Sequence, residues 1–261
     1  MQQIKNVTLG SDIEFFVQTQ KGEPIPAIGM VGGSKEQPKS LGQGYYIQED
    51  NVAVEFNVPP AKSIREWNRN IERGFNKCLD VLPAAVRSSQ AASLVFDRAY
   101  MNHPKAMEFG CEPDINAWTK NVNPRPKAAN QFLRSAGGHV HIGWDEPEMG
   151  TRFELIRACD VFCSIPALYE DNDVERRKLY GKAGAMRIKP YGVEHRVLSN
   201  YWLFQPEYTD SVAQRYYQAI AFINKGHTIA EEDAPIIQEA INTSDLDKAA
   251  NIHRKYLKMV F

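Results

Sequence analysis

Four segments of the chain alternate apolar side chains with ionisable ones at a period of two residues, and this alternation constrains the fold more than any other feature. Successive side chains of a β-strand point to opposite faces, so each segment has one face for a core and one face for polar chemistry. The pattern predicts strands over 11–19, 45–58, 136–144 and 186–203. If these strands share a sheet, their ionisable side chains gather on the face opposite the core.

The polar faces of these segments are rich in carboxylates and imidazoles. Counting by twos assigns eight ionisable side chains to them: Asp12, Glu14, Glu49, Glu55, His139, His141, Glu194 and Arg196. For any single strand the alternative is an ordinary solvated face. Five carboxylates in one place repel each other strongly unless cations neutralise them. Because hard divalent cations prefer carboxylate oxygen, the set predicts bound Mg²⁺ or Mn²⁺ beside Arg196, which suits a nucleotide phosphate.

Helical periodicity identifies the other elements. The clearest helix spans 63–81 and begins with a capping box at Ser63. Further helices are predicted over 148–168, 209–226, 231–241 and 245–258. Ser244 is expected to cap the last of them. Strands and helices do not alternate in a βαβ rhythm, so we expect an α+β fold in which helices cover one face of a mainly antiparallel sheet. The length suits a single domain over 1–261, with 209–261 as its helical C-terminal part.

Two long connections, 29–44 and 121–127, are rich in Gly or Pro and are predicted to be mobile surface loops. Loops of this length inside a compact domain often act as lids over a site. The alternative is a disordered connection without a function of its own.

The bulk composition excludes several classes of protein. Lys and Arg number 31 against 32 Asp and Glu, so the net charge of −1 provides no basic field for nucleic acid. No apolar run reaches the length of a signal peptide or a membrane span, which predicts a cytoplasmic protein without membrane contact. The four cysteines, Cys78, Cys111, Cys159 and Cys163, form no Cys-x-x-Cys pair. The last two are expected to be buried thiols of an apolar helix.

A zinc hydrolase is the main competing interpretation, because His139 and His141 have the His-x-His spacing of zinc-binding strands. Zinc sites usually need further nitrogen or sulfur ligands. His195 faces the other side of its strand by the same alternation, and the remaining histidines lie outside the four segments. A carboxylate-rich set therefore favours Mg²⁺ or Mn²⁺ over zinc.

The four segments together resemble a known family. The motifs are GSDIEF at 10–15, QEDNVAVEFN at 48–57, GGHVHIG at 137–143 and YGVEHR at 191–196. Their order is similar to that in carboxylate–amine ligases related to glutamate–cysteine ligase, within the glutamine-synthetase-like fold, and most of all to the phage-encoded type 2 family. The similarity extends from about residue 8 to about residue 205.

The resemblance implies an ATP- and Mg²⁺-dependent enzyme, with Mn²⁺ as a possible substitute, located in the host cytoplasm if the gene belongs to a phage. It would activate a carboxylate as an acyl phosphate, which an amine then attacks to form an amide. Its substrates would be small carboxylates and amines, such as amino acids or peptides, and its oligomeric state is left open. The implied fold is a curved antiparallel sheet with the active site on its concave face.

The resemblance also implies roles for individual residues. It assigns metal binding to five side chains: Asp12, Glu14, Glu55, His139 and Glu194. The pair Glu49-Asp50 should supply one more ligand; the strand alternation favours Glu49, whereas a bulge would bring in Asp50.

Other residues receive roles around the phosphate and the amine. Arg196 matches an arginine that contacts phosphate, and Arg187 and Lys189 are candidates for contact with nucleotide or substrate, or else form a solvated strand end. His141 departs from relatives without histidine at this position, and it is a candidate to accept the proton of the amine. A non-catalytic binding protein on a ligase-like scaffold is a further alternative, against which the carboxylates in all four motifs argue.

Overall fold

The alternating segments of the sequence form neighbouring strands of one sheet. The structure is a computed structural model, and it describes residues 2–107, 114–124 and 130–260. The strands in these ranges are β1 Thr8–Thr19, β2 Pro24–Ile25, β3 Lys39–Gly42, β4 Tyr45–Asp50, β5 Ala53–Ala61, β6 Val86–Ser89, β7 Ser93–Val95, β8 Ile115–Asn116, β9 Leu133–Ser135, β10 Gly138–Gly143, β11 Ala185–Lys189 and β12 Gly192–His195.

The helices lie mainly in the second half of the chain. In the described ranges they are α1 Ile64–Val81, α2 Pro104–Met107, α3 Met149–Cys159, α4 Ile165–Glu170, α5 Val174–Leu179, α6 Pro206–Asn224, α7 Ala234–Thr243 and α8 Leu246–Leu257. A π-helical turn, Asp160–Ser164, joins α3 to α4. Single 3₁₀ turns occur at Arg98–Asn102, Asn200–Leu203 and Glu231–Asp233.

The main sheet is antiparallel at every pairing of its described strands. Across it the strands follow the order β3-β4-β5-β1-β10-β12-β11-β8, and β2 and β6 pair with β1 outside this path. Strands β7 and β9 form a separate two-stranded ribbon. The central position belongs to β1, which pairs with β5 on one side and β10 on the other. The prediction of an α+β fold with a mainly antiparallel sheet is confirmed.

One face of the sheet is apolar and packs on helices. Ile13, Phe56, Val140 and Val193 are all buried in a core that also contains the inner sides of α1, α3 and α6. Burying each such side chain stabilises the fold by about 1.5–3 kcal/mol. The helices therefore cover this face, and the opposite face of the same strands carries the ionisable side chains.

The helix α1 begins and packs as its sequence predicts. Ser63 Oγ accepts a hydrogen bond from the backbone N–H of Glu66 at 3.2 Å, which satisfies a donor of the first turn. Trp67, on the buried side of α1, stacks on Trp202 with ring centroids 5.1 Å apart. This contact fixes the helix against the segment that follows β12.

A buried polar network holds β12 on the helices. The Nδ1 of His195 lies 2.7 Å from the hydroxyl of Tyr216 in α6, and its Nε2 lies 3.3 Å from Ser164 Oγ. The π-helical turn also places the carboxylate of Asp160 where the indole N–H of Trp118 donates to it at 2.7 Å. His195 therefore faces the helices, as the alternation predicted, and its two neighbours along the chain face the other way.

Two segments predicted as single strands each form a hairpin of two strands. The segment 45–58 folds into β4 and β5, with a turn at Asn51, whose φ is +61°. The segment 186–203 folds into β11 and β12, followed by irregular chain and a 3₁₀ turn. A continuous count by twos is wrong across such turns, because the two residues facing each other across a hairpin point to the same face.

All five predicted helical segments are helical and differ at the ends, whereas the short helices α2 and α5 were not predicted. The helix predicted from 209 begins at Pro206, since proline suits the first helical position. Ser244 does not cap α8; it adopts a left-handed conformation with φ +58° after α7, and Asp245 accepts the capping bond from the N–H of Lys248 instead. The predicted helix 148–168 is interrupted only by its π-helical turn.

The structure describes one of the two predicted loops in full, part of the other, and three of the four cysteines. The connection 29–44 contains β3, which pairs with β4. Of the connection 121–127, residues 125–127 lie outside the described residues, and so does Cys111. Cys78, Cys159 and Cys163 are buried free thiols. Within the described ranges, no helix is both long enough and apolar enough to cross a membrane.

Candidate active site

The strand register brings the polar side chains of β4, β5, β1, β10, β12 and β11 onto one face. Glu55 lies opposite Glu14 on one side and opposite Gln48 on the other. The next row pairs Asp12 with His139, and the row after that pairs His141 with Glu194. Residues that face each other across antiparallel strands have Cβ atoms about 4.5–5.5 Å apart, so these rows form one continuous polar surface.

The first group of potential metal ligands consists of Asp12, His141 and Glu194. Each offers a ligand atom, and these atoms lie within 4.8 Å of one another. The Nε2 of His141 is 2.8 Å from Asp12 Oδ2, and its Nδ1 is 2.5 Å from the hydroxyl of Tyr191. Asn57 donates to the other oxygen of Asp12 at 2.5 Å. Asp12 is thus held on both oxygens, and its orientation is set before any ligand binds.

The second group consists of Glu14, Asp50 and Glu55, again with ligand atoms within 4.8 Å of one another. The backbone N–H of Gly137 donates to Glu14 at 2.8 Å, and Gln48 donates to Glu55 at 2.7 Å. Three carboxylates at this distance suit a hard divalent cation, which prefers six or more oxygen ligands.

The carboxylates of the second group resist ionisation. Burial, reinforced by the charge of Asp50, raises the pKa of Glu14 to about 7. Burial and the neighbouring charges of Asp12 and Glu14 raise the pKa of Glu55 well above its usual range, and burial raises the pKa of Asp50 as well. A bound cation removes this penalty because it is the missing countercharge. The donor set and its electrostatics therefore fit Mg²⁺ or Mn²⁺.

The carboxylates of the first group are ionised more easily. Burial opposes ionisation of Asp12, but the hydrogen bond and charge of His141 bring its pKa below the usual value. Burial also opposes ionisation of Glu194, and the charges around it, that of Arg196 foremost, lower its pKa to about 2. At neutral pH these two carboxylates carry their full charge and are ready to bind a cation.

Glu49 and Asp50 occupy different places, which separates the two candidates for the additional ligand. Asp50 faces Ala53 across the hairpin and lies in the second group. Glu49 points away from that group and accepts hydrogen bonds from the backbone N–H groups of Gly29, Val31 and Gly32, at 2.9, 3.2 and 2.8 Å. Asp50 is on the site face because the hairpin turn shifts the alternation by one residue. The carboxylate of Glu49 instead anchors the connection 29–44.

His139 and Arg196 lie between the groups. Arg196 donates to Nδ1 of His139 at 3.2 Å and forms ion pairs with Glu194 and, at 2.7 Å, with Asp114. Burial and the charge of Arg196 lower the pKa of His139 well below its usual value, so its imidazole is neutral at pH 7. A Cβ at Gly137 would lie 2.4 Å from His139 Nε2, so only glycine fits there. His139 is in neither group of mutually close ligand atoms, and its role as a ligand stays a prediction.

Arg187 and Lys189 reach the site from β11. Lys189 Nζ is 3.1 Å from Glu194 Oε2, and Arg187 Nη1 is 3.5 Å from the same oxygen. Both side chains are about one quarter exposed. They therefore lie at the rim of the polar face, beside the first group, and not on a freely solvated strand end.

Two pockets open onto this face. One of them, the arginine-lined pocket, encloses about 670 Å³ including its open mouth and borders Glu14, Asp50 and Arg196. Its remaining wall contains two arginines, Arg134 and Arg176. The other pocket borders Asp12, His141 and Tyr191. One group of ligands therefore borders each pocket, and the strands between them connect the two.

The sequence reasoning missed several residues of this surface. Gln48 and Tyr191 were not predicted, because the count by twos was continued through the two hairpin turns. Asp114, Arg134 and Arg176 come from segments outside the four motifs. No local pattern marks these three, and only the tertiary fold brings them to the pocket.

The comparisons with known proteins agree with this geometry. Residues 126–254 match the family model described as Phage phiEco32-like COOH.NH2 ligase-type 2. The resemblance to this family that the motifs predict is thereby confirmed, and the match supports an enzyme of the carboxylate–amine ligase class. The matched range contains β10, β11 and β12, and with them His139, His141, Glu194 and Arg196.

A solved structure shares the fold at low sequence identity. A bifunctional glutathione synthetase from Pasteurella multocida aligns with 97% of this chain at a TM-score of 0.57 and 10% identity. The chain spans 45%, or about half, of the length of that protein. A novel glutamine synthase homolog aligns with 97% of this chain and 67% of its own length, at a TM-score of 0.40 and 12% identity. No curated protein matches the sequence.

Proposed function

We propose that this protein is an ATP- and Mg²⁺-dependent ligase that joins a carboxylate to an amine through an acyl phosphate. The observation that carries the proposal is the presence of two adjacent ligand groups, Asp12–His141–Glu194 and Glu14–Asp50–Glu55, on one sheet face beside the guanidinium of Arg196. The match of residues 126–254 to a carboxylate–amine ligase family supports the same chemistry.

The site residues have distinct tasks in this reaction. The six side chains of the two groups would hold two or more divalent cations, which would neutralise the negative charge of a bound phosphate. Arg196 lies beside both the arginine-lined pocket and Glu194, so it can stabilise negative charge on the transferring phosphoryl group. The carboxylate substrate attacks the γ-phosphorus of ATP, ADP leaves, and the acyl phosphate loses phosphate when the amine attacks its carbonyl carbon.

His141 has a defined structural role in this arrangement. Its two ring nitrogens contact Tyr191 and Asp12, so the imidazole orients the Asp12 carboxylate toward the first group. Acceptance of the amine's proton by His141 remains our prediction for the second half-reaction. The pocket beside Asp12, His141 and Tyr191 offers a place for the amine on the same side of the sheet.

The geometry gives less support to a zinc hydrolase. Nδ1 of His139 accepts from Arg196, and His141 is shared between Asp12 and Tyr191, so the two imidazoles do not converge on one point. Both groups of close ligand atoms are dominated by carboxylates, which favour Mg²⁺ or Mn²⁺.

The test is a screen of amino acids and amines with ATP and Mg²⁺, following ADP release and the mass of new products. Glu55→Gln and Glu194→Gln each remove one ligand charge and should abolish ADP release while the circular dichroism spectrum stays native. Glu72→Gln, on the exposed side of α1, is the matched control and should retain wild-type turnover. Full turnover in both site variants would refute the site. Bound zinc by elemental analysis, with no effect of ATP, would favour the hydrolase. No calorimetric binding of ATP or Mg²⁺ would favour a non-catalytic protein.

A further inference from the structure

Arg176 is a buried cation without a carboxylate partner. The residue is 2% exposed, and within the described ranges no carboxylate oxygen lies within ion-pair distance of its guanidinium. Its Nη1 donates to the carbonyl of Val197 at 2.8 Å, and its Nη2 donates to the carbonyl of Leu198 at 2.9 Å. A buried charge is unfavourable unless an opposite charge compensates it. Asp171 and Glu14 attract this guanidinium only from beyond ion-pair distance, so an anion in direct contact would stabilise it further.

The Nε–H of Arg176 is the atom that remains to be satisfied. It is buried and has no hydrogen-bond partner, whereas Nη1 and Nη2 each donate to a backbone carbonyl. Buried polar groups in native proteins are almost always hydrogen-bonded, and each exception calls for an explanation. A ligand oxygen is a natural partner, because the side chain lines the arginine-lined pocket of the polar face.

The surroundings fix the position of this guanidinium. Gly181 has φ +70°, and a Cβ there would lie 2.3 Å from Arg176 Nη1, so the residue opposite the arginine has to be glycine. At the other end of α5, Asp173 accepts a hydrogen bond from the backbone N–H of Arg176 at 3.0 Å. The donor is therefore held in place before a ligand arrives, which lowers the cost of binding.

The pocket wall opposite Arg176 identifies the chemistry of the ligand. Glu14 and Asp50 of the second ligand group line the same pocket, as does Arg196. A group placed there meets cation-binding carboxylates on one side and guanidinium groups on the other. An oxyanion satisfies both, because its oxygens can bind the divalent cations and accept from the arginines.

We propose that Arg176 is a further ligand-binding residue of the site, whose Nε–H donates to an oxyanion of a substrate in the arginine-lined pocket. This inference rests on the proposed function, under which the oxyanion is either the γ-phosphoryl group of ATP or the carboxylate of the acyl donor. Arg134 lines the same pocket and adds to its positive charge.

The test compares Arg176→Lys with Arg177→Lys. Lysine keeps the charge at position 176 but lacks the Nε–H of the guanidinium fork. Arg177 is the matched control, because it is also a buried arginine of α5 but pairs with Asp171 at 3.2 Å and does not line the pocket. Titration calorimetry with Mg²⁺ measures the affinity for AMPPNP, for ADP and, in the presence of ADP, for each of the twenty amino acids in turn.

Two outcomes support the proposal and show whether the oxyanion belongs to ATP or to the acyl donor. A loss of AMPPNP affinity in Arg176→Lys of about 10- to 100-fold with unchanged ADP affinity identifies the γ-phosphoryl group, since one hydrogen bond to a charged group has this value. Unchanged affinity for both nucleotides, with loss of an amino acid that the wild type binds, identifies the carboxylate. Wild-type affinity for every probe, or an equal loss for AMPPNP and ADP that Arg177→Lys shares, overturns the proposal.

Two further measurements apply if the wild type binds no nucleotide or if Arg176→Lys does not fold. If the wild type binds neither nucleotide, the proposed function fails, and the role of Arg176 is then tested with inorganic phosphate. Thermal stabilisation by phosphate of the wild type but not of Arg176→Lys supports the role of Arg176. Equal stabilisation of both proteins, or none, overturns it. If Arg176→Lys does not fold, a crystal structure of the wild type with Mg²⁺ and AMPPNP decides. An oxyanion oxygen at hydrogen-bond distance from Arg176 Nε supports the proposal, and its absence there overturns it.

Discussion

Replacing Glu14 by glutamine should stabilise the metal-free protein at alkaline pH and leave it unchanged at acidic pH. The pKa of Glu14 is raised by burial and by the charge of Asp50 to about 7, against 4.5 for a free glutamate. A carboxyl group whose pKa is higher in the folded state than in the unfolded state favours folding below the unfolded pKa. This advantage disappears as the pH rises through the folded pKa. At 1.36 kcal/mol for each pKa unit, ionised Glu14 costs the fold about 3 kcal/mol at pH 8.

The variant removes the ionisation of Glu14 and, with it, the repulsion that Glu14 exerts on Glu55. Glutamine keeps an oxygen that can accept from the N–H of Gly137, as Glu14 does at 2.8 Å, but it cannot ionise. His139 has a lowered pKa, so its contribution to stability changes with the opposite sign as the pH falls through about 6.5. That contribution is common to both proteins and cancels in the difference between them.

Urea unfolding followed by circular dichroism, at several pH values from 4 to 8 with EDTA, measures the difference. We expect the two proteins to be almost equally stable near pH 4, below the unfolded pKa, and Glu14→Gln to be more stable by up to about 3 kcal/mol at pH 8. With Mg²⁺ at about 100 times its dissociation constant, the wild type should gain about 2.7 kcal/mol and the variant much less. A difference that does not change with pH, or equal stabilisation of both by Mg²⁺, would refute the electrostatic account of this group.

Three further outcomes follow from the same contacts. Asp50→Asn should abolish Mg²⁺-dependent ADP release. Glu49→Gln should retain Mg²⁺ binding, measured by calorimetry, and increase proteolysis of the connection 29–44. The reverse pattern would show that Glu49, and not Asp50, is the metal ligand. His195→Ala should lower the free energy of unfolding by about 2–4 kcal/mol, because Tyr216 loses its buried partner, and chemical denaturation measures this. Trp67→Ala should cost about 3–5 kcal/mol by the same method, since the indole is fully buried; a cost below about 1 kcal/mol would contradict the packing described for α1.

The site was predictable wherever a single strand carried its own pattern. Asp12 and Glu14 share a face within β1, and Glu194 and Arg196 share a face at β12, because side chains alternate along an uninterrupted strand. The alternation rule places Glu49 incorrectly, because a hairpin turn interrupts the strand. The turn at Asn51 makes Asp50 face Ala53, so the alternation starts again and Asp50 points into the site in place of Glu49.

Distant residues of the pocket were beyond sequence reasoning for a different reason. Arg176 belongs to α5, and Asp114 precedes β8 at the far edge of the sheet. Neither is placed by periodicity, because their positions depend on how whole elements pack. The large buried pKa shifts have the same origin, since desolvation depends on what covers a side chain and not on its neighbours in the chain.

The sequence by itself determined the strands that carry the four motifs, the five longer helical segments, the division of the motif strands into an apolar and an ionisable face, and the resemblance to a ligase family. These are local properties, governed by periods of two and 3.6 residues and by motifs of a few residues. Only the tertiary structure decided which carboxylates meet, which of Glu49 and Asp50 joins them, and that a buried guanidinium with an unsatisfied Nε–H lines the same pocket. Those facts depend on hairpin register and on packing between elements far apart in the chain, where close approach and the loss of water set the chemistry.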